Sequence, residues 1–152
     1  TQSLLTPGNK TSQTPNSITH SFNASWMNDG NVFSCQTTGN SDKYLIRNLT
    51  LTVKHAPKEV QITKSHKTVK ENDALTLNCS AKGQPNVSFI WFKNKRTINQ
   101  SGAEVKFTSI KESDSGLYRC RATNTLGGID SNEMNVEVLY PPDVTVEVTK
   151  KP

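Results

Sequence analysis

An Asp-x-Gly-x-Tyr-x-Cys pattern at residues 114–120 constrains the fold of this chain more than any other feature. Tyr118 and Cys120 lie two residues apart, so on a β-strand both side chains point to the same face of a sheet. From that face the tyrosine hydroxyl can reach back to the backbone of the preceding corner, and the cysteine can reach a second sheet. The pattern therefore predicts two stacked sheets linked by a disulfide.

A second set of residues lies upstream of this motif. Cys79 is followed twelve residues later by Trp91, and Cys120 comes after both. A cysteine, a tryptophan and a cysteine in this order on strands B, C and F form the core of an immunoglobulin-type β-sandwich. We therefore predict an all-β fold in which Cys79 pairs with Cys120, while Asp114, Trp91 and Tyr118 hold the core together.

The sequence also repeats with a shift of 85 residues. The shift superimposes Cys35 on Cys120, Asp29 on Asp114, Phe33 on Tyr118, Val53 on Val138 and Pro57 on Pro142. A period close to the length of one immunoglobulin domain indicates tandem domains rather than one larger fold. Both junctions are short and carry proline, so we expect stiff connections between neighbouring domains.

The repeat sets the expected domain boundaries. Residues 1–57 would be the C-terminal part of one immunoglobulin-like domain (strands E to G), residues 58–140 a complete domain, and residues 141–152 the start of a further one. Only about 25 residues separate Trp91 from Gly116, which leaves no room for the extra edge strands of a variable-type domain. The complete domain is therefore expected to be of the constant-like or intermediate type.

Three cysteines are an odd number, and the repeat suggests why one is left over. An unpaired cysteine in a secreted protein is a free thiol, an intermolecular link or a residue whose partner is missing. Since Cys35 falls on strand F of the first domain, we expect its partner upstream of Thr1. Residues 1–25 show one plausible strand, from Ser17 to Phe22. We expect residues 1–57 not to fold stably in isolation.

Alternating apolar residues predict the inward faces of the strands in the complete domain. They are Leu75, Leu77 and Cys79 on strand B, Phe89 and Trp91 on strand C, Val105 and Phe107 on strand E with Ile110 after them, Gly116, Tyr118, Cys120 and Ala122 on strand F, and Met134, Val136 and Val138 on strand G. Residues 122–128 are predicted to form the F–G hairpin, with its two glycines at positive φ.

Five short segments carry a resemblance to a known family. Ser-Phe-Asn-Ala-Ser-Trp-Met-Asn-Asp at 21–29 and Phe-Ser-Cys-Gln at 33–36 are followed by Val-Lys-His-Ala-Pro at 53–57. Cys-Arg-Ala at 120–122 is followed by Leu-Gly at 126–127. The chain resembles the siglecs, the sialic-acid-binding immunoglobulin-like lectins, and in particular those of the B-cell and myelin-associated kind.

The resemblance implies an extracellular segment of a single-pass immune receptor for cell adhesion and recognition. The lectin activity of siglecs belongs to a variable-type domain, whose strand-F arginine pairs with the sialate carboxylate. This chain would instead be a rigid spacer for such a distal domain, with membrane attachment elsewhere. Its implied partners are neighbouring immunoglobulin domains and, through the distal domain, a sialylated glycan. Arg121 mimics the siglec spacing, but we interpret it as an ordinary exposed arginine.

Asn-x-Ser/Thr sequons support a secretory history and a glycoprotein. The six sequons begin at Asn9, Asn23, Asn48, Asn78, Asn86 and Asn99. Asn9, Asn86 and Asn99 fall in loop-like stretches and are the preferred acceptors. Asn78 immediately precedes the buried Cys79, and strand structure is expected to hinder its modification.

Ile90 and Phe92 alternate with the core residues of strand C and are expected to face outward. They are either a contact patch for another protein or apolar residues half covered by Lys and Arg stems, and we favour the second interpretation. Two alternatives to the spacer function remain. One is a homophilic or heterophilic adhesion molecule that binds a protein ligand through such a patch, and the other is a secreted immunoglobulin array.

Other functional classes find little support in the sequence. The net charge of +5 is scattered rather than concentrated among aromatics, which disfavours nucleic-acid binding. His20, His55 and His66 have no metal-ligand spacing, and no serine lies in a nucleophile-elbow context. We therefore predict a protein that is not an enzyme and that uses no cofactor or metal.

Overall fold

The computed structural model describes residues 10–14, 17–36 and 46–140. The chain divides into two compact units, residues 1–55 (unit 1) and residues 56–152 (unit 2). Within the described ranges the regular structure consists of β-strands and two short 3-10 helices. The predicted all-β class is therefore confirmed.

The described residues of unit 1 form two separate antiparallel pairs of strands. The strands are β1 (Lys10–Thr14), β2 (Ser17–Ser21), β3 (Val32–Gln36) and β4 (Ile46–Thr50), with a 3-10 helix at Trp26–Asn28. β1 pairs with β2, and β3 pairs with β4. The prediction of a single strand before residue 25 was wrong, because β1 is there too. Threonine, which occurs twice in β1, favours strands. The sequence of β1 shows no apolar alternation, however, which is the signal used to predict a strand.

Unit 2 contains ten strands in the described part of the chain. They are β5 (His55–Lys64, which begins at the last residue of unit 1), β6 (Val69–Lys70), β7 (Leu75–Gln84), β8 (Ser88–Lys93), β9 (Arg96–Ser101), β10 (Glu104–Phe107), β11 (Gly116–Asn124), β12 (Gly127–Asp130), β13 (Met134–Val136) and β14 (Val138–Leu139), with a 3-10 helix at Glu112–Asp114.

These strands form the two layers of a sandwich. One sheet has the order β10-β7-β5, and the other has the order β12-β11-β8-β9 with β13 also pairing with β11. β14 pairs in parallel with β6 at one end. The disulfide between Cys79 on β7 and Cys120 on β11 joins the two sheets. β9 is the edge strand next to β8.

The edge strand β9 corrects a prediction. The sequence was expected to leave no room between Trp91 and Gly116 for the extra edge strands of a variable-type domain, yet one edge strand, β9, pairs with β8 there. The connection is a two-residue turn at Asn94 and Lys95, with φ angles of 48° and 67°. A hairpin turn with positive φ at both central residues needs only those two residues. The rest of the segment is therefore long enough to form one strand.

The core lies between the two sheets and follows the predicted alternation. Its buried members include Leu75, Leu77, Cys79, Trp91, Val105, Ile110, Tyr118, Cys120, Ala122, Val136 and Val138. Phe89, Phe107 and Met134 are partly buried and pack against this cluster. Alternation was therefore a correct guide to the inward faces, because successive side chains of a strand point to opposite sides.

Polar atoms of the buried aromatic residues are satisfied by the backbone. The Tyr118 hydroxyl donates to the Asp114 carbonyl at 2.8 Å, which confirms the predicted turn back to the corner. The Trp91 Nε1 donates to the Gly102 carbonyl at 2.9 Å. Because a buried donor without a partner costs roughly 1–3 kcal/mol, these two bonds make burial of the large rings possible.

The F–G hairpin connects β11 and β12 as predicted, but its glycines have different roles. Gly127 has a φ of +147°, which favours glycine. Gly128 lies outside the positive-φ region, contrary to the prediction. Instead, a Cβ added at Gly128 would lie 2.6 Å from the Cγ2 of Thr123 on the facing strand, so packing excludes a side chain there.

Candidate functional site

The outward face of the five-stranded sheet is the surface that combines most of the candidate residues. Side chains that alternate with the buried Trp91 and Cys120 point to this side. We call the following residues the outer sheet face: Ile90 and Phe92 on β8, Leu117, Arg119 and Arg121 on β11, and Asp130 on β12. Strand register places Arg119 opposite Phe92, and Arg121 lies opposite both Ile90 and Asp130.

Phe92 is covered by a charged neighbour. The guanidinium carbon of Arg119 lies 4.6 Å from the centroid of the Phe92 ring. An arginine over an aromatic face is attracted by the ring quadrupole, and its stem also shields the ring from water. Phe92 is therefore only partly exposed. The structure agrees with the interpretation of this residue as one half covered by an arginine.

Asp130 is shared between two arginines. Its Oδ2 accepts a hydrogen bond from Arg119 Nη1, and its Oδ1 lies 3.6 Å from Arg121 Nη1. The Asp130 Oδ1 is buried and makes no hydrogen bond. The charge of Arg121 is therefore the electrostatic compensation for this oxygen. Arg121 remains 47% exposed in its side chain, whereas Arg119 is 28% exposed.

Two apolar residues of the outer sheet face are more exposed than Phe92. Ile90 is 42% exposed and Leu117 is 43% exposed. Single exposed apolar side chains are common on protein surfaces, but two on one sheet face are a candidate contact area. Ile90, which lies opposite Arg121, is thus more exposed than Phe92, which is partly buried.

Leu117, Arg119 and Asp130 were not among the predicted site residues. The signal that locates Asp130 is the length of the F–G turn. A two-residue turn at Thr125 and Leu126 pairs Asn124 with Gly127. Three residues further from the turn on each strand, Arg121 lies opposite Asp130. The hairpin register therefore contained the acidic partner of the arginines, although the sequence alone did not lead us to it.

The predicted glycosylation sites lie in different environments. Asn23 is exposed in the segment before the first 3-10 helix, and Asn48 is exposed on β4, where its Oδ1 accepts from the Ser34 hydroxyl at 2.7 Å. Asn86 is exposed in the loop between β7 and β8. Asn78 is partly buried on β7, a strand paired on both sides. Asn9 lies outside the described residues.

Asn99 is not in a loop, contrary to the prediction. It is an exposed residue of the edge strand β9. The error has the same origin as the missed strand, because the tight turn at Asn94 and Lys95 leaves the following residues free to pair with β8. Its neighbour Ile98 packs against the core, so the side chain of Asn99 points away from it.

Cys35 is an exposed free thiol on β3 of unit 1. In the same unit, Phe22 and Phe33 stack with ring centroids 5.1 Å apart. Leu49, directly across from Phe33 on β4, is nevertheless 67% exposed. Unit 1 therefore presents an apolar face in the described residues rather than a closed core.

The described residues contain neither a metal-binding cluster nor a membrane-spanning helix. Over the described ranges, His, Cys, Asp and Glu form no group of three or more that could hold a metal ion. The helices in the same ranges are too short and too polar to cross a membrane. One ionisable group is strongly affected by the fold: burial, followed by the negative charge of Asp114, raises the pKa of Tyr118 to about 12.

A sequence model described as "Immunoglobulin domain" matches residues 59–138, more than half of the chain. The match spans the disulfide, the buried tryptophan and the tyrosine corner. The chain belongs to the immunoglobulin domain family. As in other members, the described part of unit 2 is a disulfide-linked sandwich of two sheets.

Two curated relatives illustrate the range of similar proteins. Hemicentin-2 of Mus musculus is 35% identical over 126 residues, which cover 82% of this chain and 2% of hemicentin-2. The B-cell receptor CD22 of Mus musculus is 27% identical over 134 residues, which cover 80% of this chain and 15% of CD22. The chain thus spans a small part of each relative, and it resembles the ectodomains of adhesion and recognition receptors.

Solved structures show the same fold. The full ectodomain of mouse nectin-like molecule 4, with domains Ig1 to Ig3, gives a TM-score of 0.65 at 21% identity, covering 93% of this chain and 53% of that chain. The N-terminal four immunoglobulin domains of a Dscam1 isoform give 0.52 at 19% identity, covering 84% of this chain and 32% of that one. At these identities the likeness describes the fold alone.

Proposed function

We propose that this chain is a spacer segment in the extracellular part of a cell-surface recognition receptor of the siglec kind. Its immunoglobulin domains would hold a distal sialic-acid-binding domain away from the membrane, and that other domain would recognise the ligand. In this proposal residues 58–140 are one complete domain, preceded by the end of another (1–57) and followed by the start of a third (141–152). The siglec-like segments and the similarity to CD22 support it.

The pairing of Arg121 with Asp130 is the observation that carries the proposal. An arginine that binds sialate must offer its guanidinium to the incoming carboxylate. Arg121 is instead next to a resident carboxylate, at 3.6 Å, and Asp130 Oδ1 has no hydrogen bond. A ligand carboxylate would have to lie beside Asp130 and would draw Arg121 away from a buried negative atom. Both effects oppose binding, so a structural function fits this surface better than recognition.

A binding experiment tests the proposal. The chain, secreted from mammalian cells, is immobilised on beads and incubated with sialylated glycans before and after sialidase treatment. We expect no sialidase-sensitive binding by the chain or by its Arg121→Ala variant. Arg96→Ala, which removes an exposed arginine of β9, is the matched control. Sialidase-sensitive binding that is lost in Arg121→Ala and kept in Arg96→Ala would contradict the spacer function.

Adhesion through protein contacts is a second candidate function, favoured by the exposure of Ile90 and Leu117 on the outer sheet face. If this face binds a second copy, the chain should self-associate in sedimentation velocity, and Ile90→Lys should abolish the association. The spacer function predicts a monomer whose sedimentation is the same before and after Ile90→Lys. The comparison of the wild type with Ile90→Lys has the same meaning whether the whole protein is anchored at the cell surface or secreted.

A further inference from the structure

We propose that Asn99 carries an N-linked glycan that covers the edge strand β9 and the apolar side chains next to it. This inference rests on the proposed extracellular function, because the glycan is attached only in the secretory pathway. The acceptor sequence is the sequon Asn99-Gln100-Ser101, in which the side-chain amide of the asparagine is linked to the first sugar. The glycan would act as a shield for one face of the domain.

The position of β9 makes it the open edge of the five-stranded sheet. Among the strands that the structure describes, the sheet order β12-β11-β8-β9 leaves one side of β9 without a neighbour. An open edge presents unpaired N–H and C=O groups that can pair with another chain. Natural proteins block such edges with charges, prolines or a covering element. In β9 the charge is at its first residue, Arg96, and the remaining residues, from Thr97 to Ser101, are uncharged.

Asn99 lies on β9 between two residues whose partners are apolar residues of β8. Thr97 lies opposite Phe92, and Ser101 lies opposite Ile90, with a bulge in between. Asn99 falls midway between Thr97 and Ser101 on the edge strand. A sugar attached there would therefore lie over the edge next to Ile90, which is 42% exposed.

The orientation of Asn99 is suitable for modification. Ile98 packs against the core, so the next side chain along the strand points away from it. Asn99 is exposed, and it lies on an edge strand, where a bulky group meets no further strand within the described ranges. Asn78 provides the contrast, because it is partly buried on β7, between β5 and β10.

Asn86 is the appropriate control site. It is also exposed and belongs to a sequon, but it lies in the loop between β7 and β8 rather than on the open edge. A glycan on Asn86 would report passage through the secretory pathway without covering β9. Comparing the two sites therefore distinguishes the effect of losing any glycan from the effect of uncovering the edge strand.

The test uses the whole chain secreted from mammalian cells, with Cys35→Ser in every variant so that the exposed thiol forms no intermolecular link. Glycopeptide mass spectrometry measures occupancy at Asn99 and Asn86. Sedimentation velocity then compares Asn99→Gln, Ser101→Ala and Asn86→Gln. Ser101→Ala removes the sequon while keeping the asparagine, so agreement between it and Asn99→Gln excludes an effect of the substitution on folding.

We expect Asn99 to be occupied. Both variants that remove its glycan should strengthen self-association by roughly tenfold, since an open edge and one apolar side chain contribute on that scale. Asn86→Gln should have no such effect, and adding Ile90→Lys to Asn99→Gln should restore the monomer. An empty Asn99 with an occupied Asn86 would overturn this inference alone. No occupied sequon at all would also contradict the extracellular function, and equal association of all variants would overturn the shielding.

Discussion

Unit 1 and unit 2 contain related strand-F segments, yet the surroundings of these segments differ. In unit 2, Cys120 is fully buried in a disulfide, whereas the equivalent Cys35 of unit 1 is an exposed thiol. Met134 packs against the core of unit 2, whereas the equivalent Leu49 is 67% exposed. The motif is therefore sufficient to form a local pair of strands. Burial of their side chains requires a second sheet packed against them.

The corner before strand F differs between the units in a second way. In unit 2, the carboxylate of Asp114 accepts from the Lys111 N–H at 2.9 Å. In unit 1 the same bond, to the residue three positions earlier, is made by Asn28, which accepts from the Ser25 N–H at 2.7 Å. Asn28 is one position before Asp29, the residue that the repeat aligns with Asp114. The corner of unit 1 is therefore displaced by one residue, as its glycine is in the sequence.

Removal of the disulfide should produce the largest difference between the units. Replacing Cys79 and Cys120 together by alanine should lower the free energy of unfolding of unit 2 by about 4 kcal/mol, according to the chain-entropy model for a separation of 41 residues. The measurement is urea unfolding of the oxidised chain. Cys35→Ser is the matched control, and a loss for it as large as for the double variant would contradict the contrast.

Truncation of a core leucine should come next. Leu77→Ala removes a fully buried side chain and should cost about 3 kcal/mol of the free energy of unfolding. Leu49→Ala, the same substitution at an exposed position of unit 1, should change it by less than about 0.5 kcal/mol. Both values come from chemical denaturation. Similar costs at the two positions would show that Leu49 is buried in solution.

Titration of Tyr118 should make unit 2 sensitive to alkaline pH. The pKa of Tyr118 is raised from 10.0 to about 12, so the folded state favours the neutral phenol. This preference contributes fully to the free energy of unfolding below pH 10, and the contribution is lost as the pH rises towards 12, by up to about 3 kcal/mol. The difference in unfolding free energy between the wild type and Tyr118→Phe isolates this effect from lysine titration. A difference independent of pH between 9 and 12 would contradict it.

Loss of the tyrosine-corner hydrogen bond should have the smallest effect. Tyr118→Phe at neutral pH removes the bond to the Asp114 carbonyl and should cost about 1 kcal/mol. The reciprocal change, Phe33→Tyr in unit 1, should give no stabilisation, because the corner there is displaced by one residue. Thermal unfolding of the two variants measures both effects. A gain in stability from Phe33→Tyr would mean that the corners are equivalent.

The sequence predicted the interior of unit 2 better than its edges. Side chains such as Leu77, Trp91 and Val105 alternate with polar residues, because one side of each strand faces the core. β9 was missed because an edge strand is mostly polar and its existence depends on the two-residue turn at Asn94 and Lys95.

Contacts across strands were harder to predict than burial. Asp130 holds the two outward arginines, but its place depends on the register of the F–G hairpin, which hydrophobic alternation does not specify. Likewise, Phe92 and Ile90 have the same alternation, but the Arg119 guanidinium lies over the Phe92 ring, whereas Ile90, opposite Arg121, remains 42% exposed. The sequence located the face correctly, whereas the chemistry on it depended on which residues the strands bring together.

We propose that unit 2 is a self-sufficient sandwich, whereas the strands of unit 1 do not form a closed core by themselves. Separate peptides of residues 55–140 and 1–57, followed by circular dichroism during heating, test this most directly. We predict a single cooperative transition for 55–140 and a gradual change without a transition for 1–57. Cooperative melting of the 1–57 peptide would contradict the claim.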